Sequence, residues 1–316
     1  MRIAGCAGAP RRGATGGLRQ RGARARGLDQ RVRLAHHARR PLLGQTHRDR
    51  SPAPRRKIRG RDLAGTLEAV GRDMRRFRPG DEVYGDLGTA DGAFAEYVSE
   101  DLVETRPASL TFEQAAAVPL AGQTALKRLR DVGNLQPGQH VLVNGASEGV
   151  GTFAVQIAKS SGATVTGVCR TRNVELVASL GADHAIDYTA DGFTGTGTRY
   201  DLVLDLVGNH SLTAFRRALT SGGTIVLSGG GVSGGSSLVG PIWLMIRVKL
   251  LAPFVRDRLL VLTTAQDREI LAALRHLAES GGFTPVIDRV YSLDEVPDAV
   301  RYVETEHARA KVVTTV

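Results

Sequence analysis

A short apolar run, Val141-Leu142-Val143, enters a turn of small and polar residues, Asn144-Gly145-Ala146-Ser147-Glu148-Gly149. A helix-type pattern follows, with Val150, Phe153, Ala154, Ile157 and Ala158 on one face. This stretch constrains the chain more than any other. Strand, glycine turn and helix make the unit in which a helix N-terminus and its free N–H groups can meet a pyrophosphate. The strict G-x-G-x-x-G spacing is absent, because Ala146 and Glu148 stand at the first two glycine positions and only Gly151 keeps the third. Alone, such a turn is equally an ordinary β–α connection.

Its surroundings add weight. From residue 139 onward, strand-type and helix-type patterns alternate. Strands are expected at 141–143, 164–168, 184–187, 202–205 and 224–227, and helices at 149–160, 172–180 and 211–219. Regular β–α alternation predicts a parallel sheet with right-handed crossovers. A helix at 266–280, a strand at 285–291, a helix at 293–304 and a strand at 310–314 are expected to follow. Upstream, residues 60–85 alternate apolar and polar residues with turns at Gly71 and Pro79-Gly80, which predicts short antiparallel strands, and 92–100 reads as another. Thr111 is a plausible N-cap for one helix running through TFEQAAAVPLAGQTALKRL.

The segments AAAVPLAGQTAL, SSGATVTGV, SLGADHAIDY and YDLVLDLVGN, in this order around the turn, resemble the medium-chain dehydrogenase/reductase superfamily on its zinc-free, quinone-oxidoreductase-like branch. The resemblance runs from about Gly60 to the C-terminus. It implies a Rossmann-type doubly wound parallel sheet over residues 125–265 and a smaller GroES-like β-rich domain. That second domain would be assembled from 60–124 and 266–316, since the superfamily returns its C-terminal segment there. It also implies that Gly60-Arg61-Asp62 matches a Gly-His-Glu opening whose histidine binds zinc in zinc-dependent relatives. Arg61 cannot serve as such a ligand, because its guanidinium is always protonated.

Residues 1–59 stand apart. Over positions 1–60, Arg, Gly, Ala and Pro fill 38 sites, and no period of 2 or 3.6 is sustained. Disorder is the physical default for such a segment. A transit peptide, a basic arm for phosphates and translation of a GC-rich gene in a wrong frame are the other readings. The formal charge of +10 is local: residues 1–60 hold 17 of 42 Lys+Arg and 2 of 32 Asp+Glu, a net of +15, and the remaining 25 against 30 give −5. Two cysteines, Cys6 and Cys169, form no zinc lobe or disulfide framework, and a reducing cytoplasm is expected. The longest apolar stretch, 238–255, is broken by Gly240, Pro241, Arg247, Lys249 and Pro253, so no membrane span is expected there.

The turn supplies the first candidate cofactor residues: Ser147, Gly149, Val150 and Gly151. The second strand ends in Cys169-Arg170-Thr171-Arg172, where an NAD enzyme would place an acid on the ribose 2′-hydroxyl. Arg170 and Arg172 suit a 2′-phosphate instead and favour NADPH, unless both are solvated helix-start residues. Gly208 and the Ser228-Gly229 pair follow two further strand ends, as ligand contacts or plain turn residues. The resemblance places Thr124 beside the nicotinamide and Tyr188 at the adenosine end; the bland alternatives are a helix-satisfied threonine and a strand-end aromatic. It also sets Glu148 where the superfamily commonly has glycine, adding a like charge beside the pyrophosphate.

No catalytic acid or base is identified. His36, His37, His47, His140, His184, His210, His276 and His307 lack ligand or triad spacing. The first expectation is an NADPH-dependent, zinc-independent oxidoreductase that passes hydride to a quinone or α,β-unsaturated carbonyl. Its activity is expected to be weakened by the unusual N-terminus, and a homodimer stays open. The alternatives are a dinucleotide-binding protein with little or no turnover, a sensor or a damaged enzyme, and a nucleic-acid binder acting through the basic arm. Missing interleaved aromatics and the acidic body argue against the last.

Overall fold

The structure is a computed structural model that describes residues 2–4, 58–193, 195–227, 258–261, 267–306 and 308–316. Ser228, Gly229, Cys6, His36, His37, His47, His307 and the apolar stretch 238–255 lie outside the described residues. Among the described residues, no helix is long and apolar enough to cross a membrane.

Six parallel strands form the larger sheet: β6 (His140–Asn144), β7 (Thr164–Cys169), β8 (His184–Asp187), β9 (Tyr200–Asp205), β10 (Leu219–Leu227) and β11 (Arg258–Val261). Their spatial order is β11-β10-β9-β6-β7-β8. The chain starts at β6, moves outward through β7 and β8, and returns to lay β9 on the other side of β6. The order therefore reverses between β6 and β9, whose carboxyl ends open a crevice. This is the parallel sheet expected from the β–α alternation, in the doubly wound order that the family resemblance implied. The strand β11 was not foreseen.

Burial explains why these runs are strands. Val141, Leu142, Val143, Val165, Leu202, Val203, Leu204, Ile225 and Val226 are all at most 1% exposed, as both-face burial of a parallel sheet requires. Each such side chain contributes roughly 1.5–3 kcal/mol relative to an exposed one. Helix α3 (Gly149–Ser160) packs one face with Phe153, Ala154, Ile157 and Ala158 inside, following its predicted stripe.

The second sheet has the order β4-β1-β2-β3-β5, from β1 (Arg2–Ala4), β2 (Asp62–Ala69), β3 (Glu82–Asp86), β4 (Tyr97–Ser99) and β5 (Val103–Thr105). All its pairings are antiparallel. Within the segment 1–59, Arg2–Ala4 form strand β1, while residues 5–57 lie outside the described residues. Arg2 pairs with Ala69 on one side and Ser99 on the other, so three N-terminal residues fill the gap between β2 and β4. A three-residue strand is too short to show a period in sequence, and its hydrogen bonds come wholly from tertiary partners.

The single helix expected after Thr111 is corrected. Thr111 does cap, in a reciprocal capping box with Gln114, but helix α1 (Phe112–Ala117) stops before Pro119. Proline lacks the N–H to continue the ladder and instead begins α2 (Pro119–Leu126), which passes into a π-helical turn at Lys127–Val132. Further on come α4 (Val174–Ser179), α5 (Leu212–Arg217), α6 (Arg268–Glu279), β12 (Ile287–Ser292), α7 (Val296–Thr305) and β13 (Lys311–Thr315). Strands β12 and β13 pair in parallel with each other.

Candidate dinucleotide site

At the β6/β9 reversal, the carboxyl end of β6 and the loop after β9 meet. Asn144, the last residue of β6, spans the reversal: one amide nitrogen donates to Asp205 Oδ1 and to Asn209 Oδ1, both at 2.8 Å. Asp205 Oδ1 also accepts the N–H groups of Val207 and Gly208, at 3.2 and 3.0 Å. One buried carboxylate oxygen thus organises the loop after β9 and locks it to the end of β6. Gly208, a predicted site residue, stands at this loop.

Across the crevice, the turn leads directly into α3. Thr152 N–H is the first to bond back, to Glu148 O at 2.9 Å, so the N–H groups of Gly149, Val150 and Gly151 are the unpaired start of the helix. They carry the positive end of the helix dipole and suit a pyrophosphate. Gly151 is required by contact: a Cβ there would collide with the Gly145 carbonyl oxygen and sit 2.8 Å from Ala146 backbone atoms. The third glycine position therefore keeps its packing role although the first two are substituted. Ser147 is buried, and its Oγ accepts from Asn173 Nδ2 at 2.9 Å, leaving its own proton for another acceptor. Glu148 is half-buried and folds over the turn: a Cβ on Gly145 would lie 3.7 Å from its carboxyl carbon.

At the outer edge, Arg170 and Tyr188 meet, with Arg170 Nε donating to the tyrosine oxygen at 3.0 Å. Both are exposed beyond the carboxyl ends of β7 and β8, so two residues singled out separately in the sequence stand in one cluster. Arg172 does not join it. Its guanidinium donates to the Glu306 carbonyl at 3.3 Å, toward the end of α7. Arg170 is extended, at φ −85° and ψ 154°, whereas Arg172 lies inside the 3-10 turn Thr171–Asn173, so the two side chains leave different backbone conformations. The nearby carboxylate of Asp187 accepts from the Thr189 N–H and hydroxyl at 2.9 and 2.7 Å. Hydrogen bonds from Thr171 and Thr189 hold it below the usual carboxylate range.

Thr124 lies on α2, 5% exposed, where α2 packs against α3. One turn later, burial lowers the Arg128 guanidinium to about 10, so it stays charged at neutral pH. Cys169 is buried at the end of β7, and burial pushes its thiol up to about 11, the wrong direction for a nucleophile. His210 stands beside the crevice with its ring edge against Phe193 and Phe215, and burial lowers its pKa.

Arg61 makes a two-point bond to Asp86, at 3.0 and 2.7 Å, with Asp86 buried. Among the described residues, no group of three His, Cys, Asp or Glu is placed to hold a metal ion. Arg61, paired with Asp86 and without a lone pair to give, offers no metal ligand at this position.

Asn144, Asp205 and Asn173 were missed in the sequence. For the first two a signal existed, a polar residue closing an apolar strand where the strand order reverses. Asn173 offered none, because its contact with Ser147 joins two separate loops.

A profile of the zinc-binding dehydrogenase family matches residues 180–314. The chain is 35% identical over 284 residues to a 2-methylene-furan-3-one reductase of Solanum lycopersicum, covering 86% of this chain and 66% of the relative. The chain therefore spans just under two thirds of that protein. To a chloroplastic quinone oxidoreductase of Triphysaria versicolor it is 33% identical over 264 residues, covering 80% of this chain and 78% of the relative. Among solved structures, the quinone oxidoreductase of Coxiella burnetii superposes with a TM-score of 0.69 at 30% identity, over 81% of this chain and 78% of that one.

Proposed function

This chain belongs to the medium-chain dehydrogenase/reductase superfamily, on its quinone-oxidoreductase-like branch, and on that premise we propose that it is an NADPH-dependent, zinc-independent oxidoreductase acting on a quinone or an α,β-unsaturated carbonyl. The observation that carries the cofactor choice is the Arg170–Tyr188 contact at 3.0 Å beyond the sheet edge. A guanidinium there holds a 2′-phosphate bidentately, with the tyrosine oxygen as a second polar partner. The nearby carboxylate of Asp187 turns one oxygen, Oδ1, to the Thr189 N–H and hydroxyl.

The chain's own residues would divide the work as follows. The N–H groups of Gly149, Val150 and Gly151 and the hydroxyl of Ser147 hold the pyrophosphate. Gly208 gives the inner ribose and nicotinamide a close backbone approach, and Thr124 orients the ring from α2. When bound, the reduced nicotinamide supplies a hydride equivalent. The protein contributes orientation and exclusion of water. Arg61 stands where zinc-dependent relatives carry a histidine ligand, and its bond to Asp86 suits a structural ion pair. Two relatives support the acceptor class, one named for a quinone and one for a ketone conjugated to a methylene group.

Calorimetry with NADPH and NADH is the first test, followed by oxidation of NADPH with a simple quinone and a simple enone. Tighter NADPH binding and turnover with either acceptor are expected. Equal affinity for both dinucleotides would overturn the cofactor assignment, and binding without turnover would favour the sensor reading.

A further inference from the structure

The C-terminal strand reaches the dinucleotide turn, and a buried ion pair holds it there. Lys311 Nζ lies 2.9 Å from Asp62 Oδ2, with side chains 1% and 0% exposed. The other Asp62 oxygen accepts the Leu120 N–H at 2.8 Å, so one carboxylate ties β13 to the first turn of α2, the helix that carries Thr124. Next to Lys311, the Ala310 N–H donates to the Ser147 carbonyl at 2.9 Å, and Ala310 and Glu148 form a parallel β-bridge. A Cβ on Gly149 would stand 3.3 Å from both the Ala310 carbonyl and Lys311 Cδ. The glycine at 149 thus makes room for the C-terminal strand as well as for a ligand. Ala310 holds φ +56°, a left-handed conformation that a residue with a Cβ adopts only when its surroundings impose it.

Burying two charges is expensive, and an apolar pair of similar volume is commonly as stable, so the ion pair is weak evidence for stability as such. What it does supply is a fixed geometry, because the ammonium must meet one oxygen while the other stays on α2. We propose that Lys311 and Asp62 are positioning residues for dinucleotide binding. They latch the Ser147–Glu148–Gly149 turn and the start of α2 into one relative arrangement, so that cofactor affinity depends on β2 and β13. The proposal rests on the dinucleotide reading of the crevice, and it has a ligand-free test.

Hydrogen exchange is measured on the full chain without ligand, for the native sequence, Lys311→Met, Asp62→Asn and the double variant. NADPH affinity is then measured by calorimetry on each. Lys311→Met is expected to speed exchange about tenfold in 119–126 and 145–152 while leaving 164–169 unchanged, and to raise the NADPH Kd about tenfold. Lys311→Met leaves a buried carboxylate without its cation and loses stability. The double variant removes both charges, regains the fold, and is expected to keep the raised Kd. Unchanged exchange in both segments, or a Kd within about twofold of native in the folded double variant, would reduce the pair to a stability element and overturn the proposal. If the native chain binds no dinucleotide but the exchange difference stands, the cofactor reading falls and the latch remains.

Discussion

The two sheets bury polar groups in different ways. At the carboxyl edge of the parallel sheet the buried polar side chains are mostly neutral, Asn144, Ser147 and Asn173, with one carboxylate, Asp205, accepting three donors. In the antiparallel sheet the buried groups are the carboxylates Asp62, Asp86 and Glu104, each answered by a cation. Two of those cations come from far along the chain: Lys311 is 249 residues from Asp62, and Arg275 is 171 from Glu104. The difference follows from what each region must do. A dinucleotide brings its own negative charge, so the proposed site for it keeps N–H groups and hydroxyls available. The antiparallel sheet joins segments distant in sequence, and paired charges fix which segments meet.

The change that should break the first region most completely is Gly151→Ala. The added Cβ has backbone on its far side, which cannot yield as a side chain would. A loss exceeding about 4 kcal/mol is expected, seen as a collapse of the urea midpoint together with loss of NADPH binding. A folded, binding-competent Gly151→Ala would show that the turn does not pack as described.

Glu104→Ala attacks the second region instead. It strands Arg275 and Arg76, whose side chains are 25% and 41% exposed and can partly rehydrate. A cost of about 3 kcal/mol is expected, the low end for a broken buried pair. NADPH affinity should stay within about twofold of native, since Glu104 touches neither the turn nor α2. A large fall in affinity would erase the division between the sheets.

Arg170→Ala should leave stability unchanged and weaken NADPH about tenfold, the worth of one charge-assisted contact, with NADH unaffected. Calorimetry with both dinucleotides decides it. Arg172→Ala is the internal control and should show a smaller effect, because that side chain points to Glu306.

The smallest effect expected is a gain. Glu148 stands over Gly145 with an extended backbone, φ −83° and ψ 171°, that glycine adopts readily. Glu148→Gly should tighten dinucleotide binding about threefold by removing a half-exposed like charge. Unchanged affinity would mean that solvent already screens the carboxylate.

Local information carried much of this. Strand-to-helix alternation fixed the parallel sheet, because burial on both faces demands continuous apolar runs. The spacing around Gly151 marked the turn, since one glycine contact lies within a few residues of its partner. Arg170 and Tyr188 were both legible as strand-end residues on adjacent strands, and they meet. Thr111 announced a helix start, and Pro119 marks the break between α1 and α2.

Folding decided what no window of sequence contains. Arg2–Ala4 becomes a strand only because β2 and β4 leave a slot for it. Arg172 turns away from the cofactor edge because a 3-10 turn and the Glu306 carbonyl happen to meet it. Asp62 and Lys311 look like ordinary surface charges until the chain brings them to 2.9 Å in a dry interior. The physical reason is the same in each case. Periodicity and capping energies are set by neighbours in sequence, whereas a buried charge is tolerable only beside a partner, and tertiary structure alone chooses that partner.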